Sequence, residues 1–414
     1  MMMKHMILTC FSCGKNYPPA LRFYPCDVCG NPLHVKYTRT PPGLRAVLSS
    51  GVGHGVGIGR FRASLPVPEH ADFVSLGEGN TPMLMLHAMC AHTGLPNLLF
   101  KNEAMNPSWS FKDRLNSVNV TLAKAHGFKG LVASSTGNHG VSAAAYAAAA
   151  GLRSCVLFPH GTPDIYTKQV QAYGGRAVVM DWKARGDLLA QLVTEHGLYP
   201  SKSTLPAPLA NPFGAEGYKT IAYEIAMQTA RALPVYVFVP VGSGDNLFGI
   251  YQGFAELVKS GDISRMPKLV ACEASGSSPL FDAFTKGHDT VSQGANPRTC
   301  AVSISEGIVS NLALHALRSS EGSACIVSEA EIHAAAERLA ASGILAESSS
   351  CVSAAAVMKY ASQSKIDPDD VIVAILTATG MRWPLQVPGA DRSPLMISVD
   401  RDGPPDAWAL GLVD

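Results

Sequence analysis

Apolar runs and helical stretches alternate along most of this chain. "NLLFK" precedes "DRLNSVNVTLAKAHG", "GLVASS" precedes "NHGVSAAAYAAAAG", "RSCVLFP" precedes "DIYTKQVQAYG", and "RAVVMD" precedes "GDLLAQLVTEHG". The order repeats with "VYVFVPVG" before "NLFGIYQGFAELVKSG", "PKLVACEA" before "SPLFDAFTKG", and a closing "DDVIVAILTATG". Short β-branched runs ahead of helical stretches of roughly 10–15 residues mark βαβ units and parallel sheets. There are too many such units for one small sheet. The pattern predicts an α/β body over residues 73–390, built as two doubly wound parallel-sheet lobes with a cleft between them. The smaller lobe is expected at roughly 113–215. Ligands bind such sheets at loops that follow the C-terminal ends of strands.

The flanks break this pattern. Residues 37–72 contain "TPPGL", "SSGVGHGVGIGR" and "LPVPEH", rich in Gly, Pro and Ser with no sustained period. They read as a linker, or as a loop wrapped on the body. Residues 1–36 carry Cys10, Cys13, Cys26 and Cys29 with the spacing C-x2-C-x12-C-x2-C. Each C-x-x-C turns two thiolates toward one tetrahedral metal, and Gly14 and Gly30 follow the pairs where the turn favours a residue without a side chain. The spacing predicts a zinc-ribbon-like segment holding one structural Zn2+, remote from the reaction. Incidental thiols and a redox dithiol are the other readings; two matched pairs, with no strand–helix pattern around them, argue against both. The other cysteines, from Cys90 to Cys351, are scattered, as suits a reducing compartment. Residues 391–414 read as a C-terminal tail.

Composition narrows the function classes. The chain has 414 residues, 47% hydrophobic and 16% charged, with a formal net charge of +1. That balance provides large cores and no basic surface for nucleic acid or an anionic membrane. The start, "MMMKHMILTCFSC", is a poor signal peptide. The apolar stretch from Val141 to Phe158 reads as a buried helix, a turn and a strand, not a membrane span. A soluble cytoplasmic protein is expected.

Candidate chemistry sits in loops. "VASSTGNHG" follows a strand and opens a helix at Asn138, which suits either an anion site or an ordinary N-cap. "VPVGSGDNLFG" also joins strand to helix, and Gly242 and Gly244 let backbone approach a ligand, although a single glycine loop is weak evidence. "AILTATGMRW" alone is a strand end. In "NPSWSFKDR", Lys112 is either a solvated loop lysine or an amine kept in a dry cleft for covalent work.

Taken in order, "LGEGNTPM" (76–83), "NPSWSFKDR" (106–114), "SSTGNHGVSAAAYAAAAGL" (134–152), "NPFGAEGYKT" (211–220) and "ILTATGMRWP" (375–384) resemble the fold type II enzymes of pyridoxal phosphate (PLP), the threonine synthase and threonine/serine dehydratase family. The resemblance is close to threonine synthase and covers roughly 75–385. It implies that Lys112 carries PLP as an internal aldimine and then serves as base and acid. It implies that Asn138 bonds the ring hydroxyl, and that Ser135, Thr136 and Gly137 hold the substrate carboxylate. Gly242, Ser243, Gly244, Asp245 and Asn246 match the phosphate cradle, and Thr377 matches the residue beside the pyridine nitrogen. A neutral hydroxyl there makes the ring a restrained electron sink, favouring elimination and replacement. Asp113 and Arg114 read as a structural ion pair. A homodimer is expected.

Departures from the family pattern bear on substrate. Gly214 stands where an arginine that holds a substrate phosphate is expected, and His139 replaces a hydroxyl facing the same phosphate. Trp109 brings bulk beside the lysine, and Asp245 brings negative charge to the cradle. Lys219, Arg176 or Lys168 are the basic residues that could replace the arginine. Three readings follow. The first is a PLP-dependent lyase acting on a small amino acid by β-elimination or β-replacement through an aminoacrylate. The second is a threonine synthase making threonine from O-phosphohomoserine. The third is an inactive paralogue serving as a zinc-ribbon binding module.

Overall fold

Residues 5–44, 56–201, 211–294, 298–305 and 307–382 are described by a computed structural model. The tail at 391–414 and most of the glycine-alternating stretch lie outside the described residues. Three short strands, β1 (Met6–Cys10), β2 (Asn16–Tyr17) and β3 (Leu33–Tyr37), form an antiparallel sheet in the order β2-β1-β3. The body follows with β4 (Met83–Leu84), β5 (Leu98–Asn102), β6 (Gly130–Ser134), β7 (Arg153–Pro159), β8 (Arg176–Met180), β9 (Tyr199–Pro200), β10 (Tyr236–Pro240), β11 (Lys268–Ala274), β12 (Ser323–Val327) and β13 (Ile372–Leu376).

These strands make two sheets. One has six strands in the order β12-β11-β10-β13-β5-β4, and the other has four in the order β8-β7-β6-β9. All pairings are parallel except that of the two-residue edge strand β4 with β5. Every residue of β6 and β13 is buried, which is why "GLVAS" and "IVAIL" are unbroken small or apolar runs and not alternating ones. The protein is thus mixed α/β with parallel sheets, as the hydrophobic pattern predicts. The strand "SACIV" and the helix Glu329–Ala341 were not among the expected units. That helix does carry a local start signal, a capping box between Ser328 and Glu331.

Sheet order brings distant loops together. Strands β10, β13 and β5 are neighbours in the larger sheet, so the loops leaving their carboxyl ends meet. Those loops contain Gly242, Thr377 and, beyond a 3-10 turn at Glu103–Met105, Lys112. Strand β6, interior to the smaller sheet, delivers Ser135–His139.

The N-terminal ribbon is joined to this body by aromatic packing. Phe23 stands edge-on to Tyr199, with ring centroids 4.9 Å apart, and lies near Phe213 and Phe128. On another side, Phe11 meets His315 at 5.1 Å and His34 meets Phe248 at 6.1 Å. His315 and Phe248 lie on the helices Asn311–Ser319 and Asp245–Ser260, the second of which starts at the glycine loop after β10.

Candidate active site

Lys112 is held at the start of the helix Lys112–Ala125 by a splice to the end of β13. Phe111 N–H donates to Thr377 O at 3.0 Å, and Thr379 N–H donates to Trp109 O at 3.2 Å. The Lys112 amine lies 4.3 Å from the Phe111 ring centroid and 5.9 Å from that of Tyr218. Aromatic faces beside an amine accept its positive charge without competing for its proton.

The loop after β6 is shaped by Ser135, whose hydroxyl oxygen accepts from Gly137 N–H at 3.0 Å and Gly140 N–H at 2.9 Å. A Cβ at Gly137 would sit 2.8 Å from the Tyr166 ring, and one at Gly140 would sit 2.4 Å from Val156. Neither position admits a side chain without displacement. Asn138 opens the next helix, its Nδ2 donating to Glu347 Oε2 at 2.7 Å while its Oδ1 accepts from Arg382 Nη1 at 2.9 Å. Burial raises the pKa of the Glu347 carboxyl, opposed by its bond from Asn138 and by the charges of Arg382 and Lys112.

After β10, Gly244 adopts φ +90°, and a Cβ there would lie 2.5 Å from Ala313. Ser310 N–H donates to Ser243 O at 3.0 Å, locking the loop to its neighbour. Asp245 accepts from the Ser243 hydroxyl at 3.3 Å. The buried Asn246 amide finds no hydrogen-bond partner among the described residues for either its nitrogen or its oxygen. Thr377 shares a hydrogen bond of 2.8 Å with Ser350.

Side chains and backbone from these loops line one cleft. Its walls include Lys112, Ser135, Thr136, Asn138, His139, Gly242, Ser243, Gly244, Asp245, Asn246 and Thr377. Gly137 lies behind the wall, against Tyr166. Trp109 differs from the other candidate residues: it is 47% exposed and outside this lining, and at φ +62° its ring lies over Arg382, 5.0 Å from the guanidinium carbon. Asp113 and Arg114 also differ from expectation, since they do not pair with each other. Asp113 accepts from Ser108 N–H at 2.6 Å and from the hydroxyls of Ser108 and Ser142. Arg114 pairs with Glu103 and Glu224, each at 2.7 Å. Sequence reasoning passed over Glu347 and Arg382. Arg382 lay inside a quoted motif, whereas "AESSS" carries no period or spacing that singles out its glutamate.

At the N-terminus, the sulfurs of Cys10, Cys13, Cys26 and Cys29 all lie within 4.8 Å of one another. Gly14 and Gly30 adopt φ +70° and +69°, and their N–H groups donate to Cys10 O and Cys26 O. Four convergent thiols match a tetrahedral Zn2+ donor set, in which Zn–S bonds of about 2.3 Å separate the sulfurs by roughly 3.8 Å.

The cavity residues also fit PLP. The unpartnered Asn246 amide and the glycine cradle suit a phosphate, and a lysine amine faces the same space. The model for "Pyridoxal-phosphate dependent enzyme" matches residues 74–378. The chain is 34% identical to a threonine synthase of Methanocaldococcus jannaschii over 401 residues, 95% of this chain and 97% of that one. A threonine synthase of Methanosarcina acetivorans is 31% identical over 402 residues, 95% of this chain and 96% of that one. Among solved structures, maize serine racemase matches with a TM-score of 0.63 at 20% identity, covering 74% of this chain and 89% of its own. A fungal L-serine ammonia-lyase from Rhizomucor miehei matches with a TM-score of 0.63 at 21% identity, covering 73% and 94%. Among the described residues, no helix is long and apolar enough to cross a membrane. With the family model spanning both sheets and the cavity between them, the chain belongs to the pyridoxal-phosphate dependent enzymes.

Proposed function

We propose that the protein is a PLP-dependent lyase related to threonine synthase, acting on a small amino acid that carries no phosphate by β-elimination or β-replacement. The observation that carries this reading is the charge of the wall. Among the described residues, Lys112 is the only lysine or arginine lining the cavity, while Asp245 and Glu347 are both acidic. The cradle with Asn246 serves the cofactor's own phosphate, so a second phosphate on the substrate would lack a charge-assisted partner. Gly214 cannot regain the missing arginine in place, because a Cβ there would lie 2.5 Å from the Asn119 side chain. The substitute cations are committed elsewhere. Lys219 is buried between Glu216 at 2.8 Å and Glu256 at 2.9 Å, Lys168 pairs with Asp164 at 3.5 Å, and Arg176 begins the exposed end of β8.

When bound, PLP draws electrons from the α-carbon of the amino acid. The chain's own residues do the rest. The Ser135–Gly137 loop and the helix start at Asn138 bind the carboxylate and orient the α-proton toward the Lys112 amine. That amine takes the proton and returns one to the departing β-substituent. Thr377, held by Ser350, offers a neutral hydroxyl and no charge. In the same reading, the four cysteines hold a structural Zn2+.

A second reading, threonine synthesis from O-phosphohomoserine, is favoured by the 31–34% identity to threonine synthases over nearly the whole chain. The two separate in one assay. Holoenzyme incubated with serine, threonine, O-phosphoserine and O-phosphohomoserine is monitored for 2-oxo acid, ammonia, phosphate and threonine. We expect 2-oxo acid and ammonia from the unphosphorylated amino acids. Efficient threonine and phosphate release from O-phosphohomoserine would replace the first reading with the second.

A further inference from the structure

Arg382 is 4% exposed, yet among the described residues no carboxylate bonds it directly. Burying a guanidinium without a contact anion is costly. The groups that act on it electrostatically are Tyr166, Asp113, Glu347 and Tyr173. Its direct bonds go to neutral acceptors: Nη1 donates to Asn138 Oδ1 at 2.9 Å, and Nη2 donates to Ser108 O at 2.6 Å. Its flat faces are covered by aromatic rings, Trp109 at 5.0 Å and Tyr166 at 5.8 Å. Trp109 stands there at φ +62°, a left-handed conformation that is strained for a bulky residue. A strained tryptophan shielding a buried, indirectly balanced arginine points to a purpose beyond packing.

We propose that Arg382 is a positioning residue that fixes the orientation of the Asn138 amide, so that Asn138 presents N–H donors and not its carbonyl to the cavity. A side-chain amide can rotate to exchange its donor and acceptor ends. A guanidinium is donor-only, so Asn138 must turn its oxygen to Arg382. Its NH2 end then faces Glu347 at 2.7 Å, and the second N–H is left for a ligand in the cavity. The ligand atom recognised there is therefore an acceptor, best an oxyanion on the cofactor ring. The bond to Ser108 O ties the same guanidinium to the loop that leads to Lys112. This inference rests on the family's cofactor and not on which amino acid is the substrate.

The test is a pH titration of the bound cofactor's visible absorption band in wild type, Arg382→Met and Arg382→Lys, with Arg382→Met repeated in an Asn138→Ala background. Losing the fixed Asn138 donor to the ring oxyanion makes the cofactor hold its proton more tightly. The Arg382→Met midpoint should rise by about one pH unit, the scale of one charge-assisted hydrogen bond. Arg382→Lys, which keeps charge and a donor, should stay within about 0.3 unit of wild type. In the Asn138→Ala background, Arg382→Met should add no further shift. An unchanged midpoint in folded Arg382→Met would overturn the proposal. So would an equal shift with and without Asn138, since Arg382 would then act through space. If Arg382→Met does not fold, Arg382→Lys decides, and a full one-unit rise there counts against the inference. Absence of any visible band in wild type would instead strike at the cofactor assignment.

Discussion

Two buried charge networks flank Lys112, and they are built differently. In the first, Arg114 bonds Glu103 and Glu224 at 2.7 Å, Lys101 bonds Glu224 at 2.8 Å, and Arg60 adds a contact at 3.1 Å. Thr220 and Thr81 take remaining N–H groups of Arg114. Opposite charges touch, and the network closes on itself. In the second, Arg382 and Glu347 are separated by the neutral amide of Asn138, which keeps an N–H for the cavity. Direct pairing holds a fold together but leaves nothing to offer a ligand. An interposed amide gives up contact between the charges and gains an oriented donor.

The largest effect should come from the cavity side. Lys112→Ala removes the amine while leaving the first network intact, so turnover should fall by about four orders of magnitude with little change in thermal midpoint. Steady-state assays beside thermal unfolding check both halves. Glu224→Gln should do the reverse. It leaves Arg114 and Lys101 underpaired, which costs roughly 3–5 kcal/mol in denaturant unfolding, while folded protein keeps the wild-type titration of its visible band. A shifted titration in Glu224→Gln would erase the distinction between the networks.

Acidity sharpens the contrast further. The Arg114 and Lys101 charges hold Glu224 below the ordinary carboxylate range, and Arg114 does the same for Glu103. A depressed folded pKa gives stability that is present above the unfolded value near 4.5 and is lost as pH falls through the folded one. Asp113 has the opposite sign, because burial pushes it up to about 6 from 3.8 against its bonds from Ser108 and Ser142. Its ionised form penalises the fold above pH 6, and the penalty is relieved as pH falls toward 4. Denaturation midpoints should therefore rise between pH 7 and 5 and drop below 4.5. In Asp113→Asn the rise should shrink, by about 3 kcal/mol at most, without vanishing, because burial also raises Glu347 and pushes Glu273 up to about 8; the acid loss should remain. The smallest effect concerns the ribbon. Its rings press on the two helices beside the phosphate cradle, so stripping metal with a chelator should lower the thermal midpoint by roughly 2–5 °C. Unchanged melting, with no zinc found by metal analysis, would count against a metal in the ribbon.

Legibility in the sequence followed the range of the forces involved. The paired C-x-x-C turns and the βα units are local, so spacing and periodicity reported them. The loops carrying Lys112, Asn138, Gly242 and Thr377 were visible as motifs, but their meeting depends on β10, β13 and β5 being neighbours, which no local pattern states. Arg382 and Glu347 were missed because their importance comes from contacts 244 and 209 residues away in sequence. Trp109 stands apart from the cavity lining because proximity to Lys112 in sequence says nothing about φ, and its left-handed backbone sets its ring over Arg382. The pairing expected between Asp113 and Arg114 failed for a related reason: adjacent residues on a helix point about 100° apart and do not face each other.

The central claim is that the cavity binds PLP through Lys112. Borohydride reduction of the holoenzyme, followed by digestion and mass spectrometry of the peptides, tests it most directly. The account predicts a phosphopyridoxyl group on the lysine of "NPSWSFKDR" and on no other lysine in stoichiometric amount. Stoichiometric label on Lys219 or any other lysine, with Lys112 unmodified, would contradict it.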